Sequence, residues 1–261
     1  QAVRGHRLMH GEALAWAAGL FEGEGSFSGY MNPNKNSRPH NRFRRLTAQL
    51  SLHHRDLDVL EEFWRVVGVG KIYASPSRPK MRKWMAGTFE SVQAIGAMLW
   101  PWLGPMRRTQ FRRAILFARK MPVNDTEIQA ETKFGWREGT AWAAGLFEGE
   151  GCVHARLNKD TRNPNSRFRR IQVVVVQKSR NRDVLMRFHD VTGLGRVMGH
   201  YRQEMFNWSA TTFESSQALA AMLWPYLGRR RRSKLSAALS FVSDGYRNGL
   251  VRPRRTHRKA A

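Results

Sequence analysis

The stretch Ala15-Trp16-Ala17-Ala18-Gly19-Leu20-Phe21-Glu22-Gly23-Glu24-Gly25 occurs twice, because residues 141–151 repeat it without change at an offset of 126. Shorter stretches later in the chain recur at offsets of 124 or 125. They are Arg42-Phe43-Arg44-Arg45 with 167–170, Thr88-Phe89-Glu90-Ser91 with 212–215, and Leu99-Trp100-Pro101 with 223–225. The period is too long for a solenoid, whose repeats span about 20–50 residues. The chain is therefore interpreted as two copies of one unit in a single polypeptide.

The repeat also predicts where the two units begin and end. The first copy is expected at residues 8–120 and the second at 138–247. A linker is expected at 121–137, where Pro122 follows the last helical pattern of the first copy. The polar and basic residues 248–261 are interpreted as a C-terminal tail.

Hydrophobic periodicity predicts the same order of elements in each copy. Residues 11–23 have a helical period and end before Gly25, which is a typical stop signal. Over residues 46–52, Leu and Ala at every second position alternate with polar residues, as in a strand with one buried face. A helix, a second strand pair and further helices follow in both copies. We therefore expect an α+β fold with two antiparallel sheets.

Composition limits the classes of function. The 261 residues carry 45 Lys plus Arg against 20 Asp plus Glu, a formal charge of +25, and the 41% apolar residues suffice for a core. A single cysteine excludes a disulfide framework and a cysteine zinc site. Without a membrane-length apolar run or a signal-peptide pattern, the sequence predicts a soluble intracellular protein. The charge predicts a polyanionic partner, nucleic acid before anionic membrane, rather than a charge that serves solubility alone.

The repeated stretch suggests how the two copies meet. Gly19 and Gly23 lie four residues apart and share one helix face, where small residues let a second backbone approach closely. The natural partner is the identical helix of the other copy, with Gly145 and Gly149. We therefore expect these two helices to form the contact between the copies.

Glu24 and Glu150 lie at the C-terminal ends of the same two helices. That end is the negative pole of the helix dipole, so a carboxylate there is unfavourable without a cation. If the helices pack side by side, the two carboxylates also approach each other. A divalent metal, Mg²⁺ or Mn²⁺, suits such a pair and can activate water for phosphodiester hydrolysis. The alternative is two exposed acids beside glycine caps, which two identical copies in so basic a protein disfavour.

The stretches 17–25 and 143–151 resemble the nine-residue LAGLIDADG motif, and residues 8–247 resemble a monomeric, two-repeat LAGLIDADG homing endonuclease. Ala17 and Ala143 replace the leading Leu, and the acids are Glu rather than Asp. The resemblance implies a pseudo-twofold duplicated fold. In such a fold the motif helices form the interface, and each half presents a curved antiparallel sheet to the major groove of DNA.

The resemblance also implies an activity. Glu24 and Glu150, with the carbonyls of Gly23 and Gly149, would bind metal at the scissile phosphates, one for each strand. The product in this family is a double-strand break with short 3′ overhangs in a long, asymmetric DNA target. The alternative is a non-cleaving protein of the same fold, either an intron RNA maturase that binds intron RNA or a DNA-binding regulator. A binder does not need the acid pair, although maturases can also carry it.

Strand parity predicts the side chains that face DNA. Candidates share the parity of Glu24 or Glu150, as Cys152 does, or lie on the polar face of the next strand. Lys35 and Arg38 are candidates from the loop between the first two strands. Arg, Gln and Asn among them can read base edges, and the alternative is a solvated sheet face. The predicted DNA-binding residues are Ser26, Ser28, Tyr30, Asn32, Lys35, Arg38, Arg45, Thr47, Gln49, Ser51, His154, Arg156, Asn158, Arg170, Gln172 and Lys178. Val174 and Val176 fall on the same face, which leaves two interpretations, contact with thymine methyl groups or a different register.

Four further residues are candidates for catalysis. Gln177 and Lys178 lie where the family carries groups that orient water, whereas Leu52-His53 holds the matching place in the first copy, so the two sites are unequal. Arg107 and Arg230 follow the Leu-Trp-Pro stretches. Each could stabilise charge at the reacting phosphate or anchor a phosphate of the backbone.

Overall fold

The computed structural model describes residues 10–32, 43–123, 128, 135–159, 167–200 and 204–247. The first repeat contains α1 (His10–Glu24), β1 (Gly25–Asn32), β2 (Phe43–His53), α2 (Leu57–Val67), β3 (Lys71–Ala74), β4 (Met81–Ala86), α3 (Phe89–Leu99) and α4 (Pro105–Ala118). The second contains α5 (Trp136–Glu150), β5 (Gly151–Lys159), β6 (Arg167–Lys178), α6 (Arg182–Thr192), β7 (Arg196–His200), β8 (Met205–Ala210), α7 (Phe213–Leu223) and α8 (Arg229–Arg247). The predicted duplicated α+β fold is confirmed. No helix within these ranges is long and apolar enough to cross a membrane.

Each repeat forms one four-stranded antiparallel sheet, ordered β1-β2-β4-β3 in the first repeat and β5-β6-β8-β7 in the second. The alternation predicted for β2 is confirmed. Leu46 and Leu50 are buried on the face that the helices cover, whereas Gln49 lies on the opposite face, level with Ser26 of β1. We call the face that points away from the helices the open face of each sheet.

A glycine turn holds a buried tryptophan in each core. Trp84 Nε1 donates to the carbonyl of Val69 at 2.9 Å, and Trp208 Nε1 donates to that of Leu194 at 2.7 Å. Gly70 has a φ of +82°, and a Cβ on this residue would lie 2.6 Å from Trp84 Nε1. Gly70 belongs to the stretch Gly68-Val69-Gly70, which recurs as Gly193-Leu194-Gly195. These glycines supply a left-handed turn at the point where the backbone passes directly beside the indole ring.

The motif helices α1 and α5 pack against each other between the two sheets. A Cβ on Gly19 would lie 2.0 Å from the carbonyl oxygen of Trp142, and one on Gly145 would lie 2.0 Å from that of Trp16. The two backbones are in direct contact at these glycines, so no side chain fits at either position. The predicted interface between the repeats is therefore confirmed. The predicted tail at 248–261 lies outside the described residues.

Candidate active site at the ends of the motif helices

Each motif helix ends at its last glutamate, and a strand begins at the next residue. The two acid side chains cross the helix interface. A Cβ on Gly149 would lie 2.9 Å from Glu24 Cγ, and one on Gly23 would lie 3.0 Å from Glu150 Cγ. The two glycines therefore leave room for each acid to lie over the opposite helix. Glu24 is exposed to solvent and Glu150 is partly exposed, so both remain accessible to a ligand.

The pKa values of the two carboxyl groups are both raised, for partly different reasons. The pKa of Glu24 is raised to about 7. Loss of surrounding water is the largest cause, and repulsion from Glu150 is the second. Burial also raises the pKa of Glu150, but the neighbouring Gln177 amide acts in the opposite direction. Removal from water and a nearby like charge both disfavour an ionised carboxylate. A cation at this site would relieve both effects.

Two largely buried arginines hold the ends of the motif helices. Arg107 Nη2 donates to the carbonyls of Glu22 and Gly23, at 2.7 and 3.1 Å. Arg231 makes the same two contacts with the second motif helix, at 2.7 and 3.4 Å. The last carbonyls of a helix have no partner within it, so the guanidinium groups take that place. The charge of both arginines also favours the ionised form of Glu24 and Glu150.

The structure gives Arg231, and not the predicted Arg230, as the counterpart of Arg107. Arg230 instead forms an ion pair with Asp56 of the other repeat. One step along a helix rotates a side chain by about 100°, so neighbouring arginines point in different directions. The sequence contained the signal, because the offset of 124 that relates the two Leu-Trp-Pro stretches connects Arg107 with Arg231.

A second pair of glutamates, to which the sequence interpretation gave no role, joins the arginine-bearing helices to the motif helices. Glu22 accepts a hydrogen bond from the backbone N–H of Gly104 at 2.7 Å, and Glu148 accepts one from that of Gly228. These glycines immediately precede α4 and α8. Burial raises the pKa of Glu22 and raises that of Glu148 to about 7. The presence of both acids in the repeated stretch was the available signal.

The two sites differ in the residue beside each acid. Gln177 is only 5% exposed, and its Oε1 accepts from Asn181 Nδ2 at 3.0 Å. Within the described residues its Nε2 has no hydrogen-bond partner, yet the amide lies close enough to Glu150 to lower the pKa of that acid. Leu52 holds the matching place in the first repeat and is buried. Lys178, the next residue of β6, is exposed.

The donors at this site fit a hard divalent cation. Carboxylate and carbonyl oxygens are the ligands that such ions prefer. The carbonyls of Gly23 and Gly149 accept from arginine and keep a second lone pair. In the part of the chain that the structure describes, no group of three or more His, Cys, Asp or Glu side chains is placed to hold a metal ion. An ion on the acid pair would therefore need water or phosphate oxygens to complete its coordination.

The open faces of the sheets bring together most of the predicted DNA-contacting residues. On the first sheet these are Ser26, Ser28, Tyr30, Arg45, Thr47, Gln49 and Ser51, and on the second sheet they are His154, Arg156, Asn158, Arg170, Gln172 and Lys178. Val174 and Val176 share this face, so the alternative of a different register is wrong. Lys35, Arg38 and the side chain of Asn32 lie outside the described residues.

The second strand pair of each sheet adds residues that the sequence interpretation missed. Lys71 of β3 and Lys83 of β4 lie on the open face of the first sheet. Arg196 of β7 and Asn207 of β8 hold the corresponding places on the second sheet. Their facing depends on pairing with β2 and β6, which are distant in sequence, so no local pattern reveals it.

The comparison with known families matches residues 17–98 and 143–232 to the LAGLIDADG endonucleases. The chain belongs to the LAGLIDADG endonuclease family. Its fold is similar to the LAGLIDADG meganuclease I-AabMI bound to uncleaved DNA, with a TM-score of 0.71 and 16% identity over 91% of this chain and 93% of that chain. The homing endonuclease I-LtrWI bound to target DNA gives a TM-score of 0.69 and 16% identity over 91% and 92% of the two chains. No curated protein matches the sequence.

The departures of this chain from the LAGLIDADG motif lie on the two packed motif helices. Ala17 and Ala143, which replace the leading Leu, are fully buried. Glu24 and Glu150 replace the last Asp and have one more methylene group. In the structure the Cγ methylene of each glutamate lies over a glycine of the opposite helix.

Proposed function

We propose that this protein is a sequence-specific DNA endonuclease that uses a divalent metal to cut both strands of a long, asymmetric duplex and leaves 3′ overhangs. The observation that carries the proposal is the crossed pair of Glu24 and Glu150 at the ends of the motif helices. Their raised pKa values are a reason for the pair to bind a cation. Membership in the LAGLIDADG endonuclease family supports the same activity.

Double-stranded DNA is the proposed substrate. Solved structures with the same fold include proteins bound to DNA targets. The open faces carry basic and amide groups, which can bind phosphates and read base edges. In this proposal the repeats at 8–120 and 138–247, joined by the linker at 121–137, bind one half-site each, and the chain acts as a monomer. The charge of +25 would supply most of the nonspecific affinity and make binding steeply dependent on salt.

The acid pair is the proposed metal site. Glu24 and Glu150, with the carbonyls of Gly23 and Gly149, would hold Mg²⁺ or Mn²⁺. Such an ion, when bound, supplies activation of water and stabilisation of the leaving oxygen. Because carboxylate and carbonyl oxygens repel a phosphate, the positive groups around the acid pair would hold the reacting phosphate of each strand.

The neighbouring residues have positioning roles in this proposal. Arg107 and Arg231 fix the carbonyls at the ends of the motif helices and bring positive charge to the acids. Gln177 would orient water through its free Nε2, and Lys178 would stabilise charge on the phosphate. Arg230 is proposed to hold the repeats together through Asp56 rather than to act on the phosphate.

The test begins with the selection of cleaved sites from a randomised duplex library in Mg²⁺. Glu24→Gln and Glu150→Gln should each lower the rate of double-strand cleavage of a selected site about a thousandfold. Binding to that site in Ca²⁺ should persist. Glu61→Gln, which changes an exposed acid of α2, is the matched control and should cut normally. Undiminished double-strand cleavage by either site variant would refute the proposal.

The unchanged protein provides the second arm of this test. If it binds a selected duplex but leaves it intact in both Mg²⁺ and Mn²⁺, the non-cleaving alternative is favoured. In that case the two acids would serve binding or folding only.

A further inference from the structure

The open faces of the two sheets differ most in the two rows nearest the acid pair. A row here is a set of open-face residues that lie side by side on neighbouring strands. On the first sheet the rows are Ser26, Gln49, Met85 and Lys71, then Ser51, Lys83 and Tyr73. On the second sheet they are Cys152, Val174, Ser209 and Arg196, then Val176, Asn207 and Met198.

On the first two strands of each sheet, three corresponding positions change from polar to apolar between the sheets. Cys152, Val174 and Val176 form what we call the valine patch, and their places in the first sheet are held by Ser26, Gln49 and Ser51. The two strands involved, β5 and β6 or β1 and β2, are those that begin or end beside the acid pair. Apart from Met85 and Met198, the open-face residues of these rows outside the valine patch are polar, basic or tyrosine, so the patch is a local departure.

The valine patch does not belong to the core beneath the sheet. Val174 is 8% exposed, but its neighbours Val173 and Val175 point to the covered face and Val174 does not. Cys152 and Val176 are partly exposed on either side of it. Valine side chains have no hydrogen-bonding atoms, so this part of the sheet cannot read a base edge by the means available to Gln49.

We propose that the valine patch recognises the 5-methyl group of a pyrimidine in the second half-site, an inference that rests on the proposed function. Among the four bases, only thymine carries a methyl group on its major-groove edge, beside its O4 acceptor. At the corresponding place in the first half-site, Gln49 and Ser51 select a base by hydrogen bonds. The two half-sites are thus read with different chemistry at equivalent positions.

The decisive experiment changes the DNA and leaves the protein intact. In a target selected from the library, each thymine of one half-site at a time is replaced by deoxyuridine, which removes only the methyl group. For a thymine that faces the valine patch, the replacement should weaken binding about fourfold, which is the effect of one buried methyl group. Facing Gln49 and Ser51, the same replacement should change binding less than twofold. At a C·G pair facing the patch, 5-methylcytosine should bind about fourfold more tightly than cytosine.

A pair of exchanged residues tests the assignment from the side of the protein. Val176→Ser should remove the sensitivity to deoxyuridine in the second half-site. Ser51→Val should create such a sensitivity in the first half-site, a gain that general damage to the protein cannot produce.

The outcomes separate this inference from the proposed function. If the protein cuts its target but no deoxyuridine in the second half-site alters binding, the methyl recognition is wrong and the nuclease stands. If Ser51→Val creates no new sensitivity, the role of this row is likewise overturned. If the protein neither binds nor cuts any duplex, the proposed function fails and the inference fails with it.

Discussion

The two repeats are most alike at the contact between their motif helices and less alike in the residues beside each acid. Gly19 and Gly145 meet the opposite helix with the same spacing, and Arg107 and Arg231 hold the two helix ends in the same way. Beside the acids, by contrast, the first repeat has Leu52 where the second has Gln177. The interface requires a glycine at this position in both copies, because the backbone of the opposite helix leaves no room for a side chain. The surroundings of each acid are not part of that contact and are free to differ.

The largest expected effect tests whether the interface is as symmetric as the packing indicates. Gly19→Ala and Gly145→Ala each place a Cβ 2.0 Å from a carbonyl oxygen, so each should lower the free energy of unfolding by about 3 kcal/mol or more. Chemical denaturation measures the loss. Gly87→Ala is the control, since a Cβ there meets nothing within 4 Å. If one interface variant is as stable as the control, the symmetry of the contact is contradicted.

A smaller effect should distinguish the two acid sites. Gln177→Leu gives the second site the side chain of the first and removes the amide beside Glu150. The strand served by Glu150 should then be cut about tenfold more slowly, because the amide favours the ionised form of Glu150 and a loss of about 1.4 kcal/mol of transition-state stabilisation is a tenfold loss of rate. Single-turnover cleavage of a duplex labelled separately on each strand measures the two rates. Gln217→Leu, at an exposed position of α7, is the control, and equal slowing of both strands would argue against a site-specific role.

The pH dependence of the free energy of unfolding should show the raised pKa of Glu24. Because the folded protein raises the pKa of Glu24 from 4.5 to about 7, the folded state holds an extra proton between these values. The stability associated with that proton is present at low pH and is lost as the pH rises through about 7. In EDTA, Glu24→Gln should match the unchanged protein near pH 4 and exceed it at pH 8 by about 1 kcal/mol, since solvent screens the exposed carboxyl.

Urea unfolding at the two pH values measures this difference. Leu52→Gln supplies the amide that the first site lacks. It should lower the pH at which the stability falls, because an amide beside a carboxyl group favours the ionised form. A stability gain in Glu24→Gln that is the same at pH 4 and pH 8 would contradict the raised pKa.

The smallest expected effect concerns an ion pair that only one side of the interface has. Arg230 pairs with Asp56, whose counterpart in the second repeat is the buried Asn181. Asp56→Asn should lower the free energy of unfolding by about 0.5 kcal/mol, because the pair is partly exposed. Glu61→Gln, in the same helical region, is the control. The effect should shrink at high salt, and a loss that is insensitive to salt would point to packing instead.

Much of the fold was predictable because it rests on local patterns. The exact repeat of residues 15–25 predicted the duplication, and glycines four residues apart predicted the helix contact. Alternation along β2 predicted which residues face away from the core. The facing of β3, β4, β7 and β8 was not predictable, because it depends on pairing between strands that are separated by a helix.

The candidate site was predictable only in part. The two acids stand out because they recur at the end of a recurring helix. The arginine of the second repeat was displaced by one position, since a short basic run such as 229–232 gives no indication of which side chain points inward. Glu22 and Glu148 were overlooked because a buried acid and an exposed acid look alike in a sequence.

By itself, the sequence determined that this protein is a duplication with two motif helices, two acids at their ends and a strongly positive charge. Periodicity and repetition carry that information, and both are local properties of the chain. Only the tertiary structure decided that each acid lies over the opposite helix, that Arg231 matches Arg107, and that Gln177 serves one acid alone. These contacts depend on the rotational phase of helices and on the register between distant strands, where a shift of one residue sends a side chain to another neighbour.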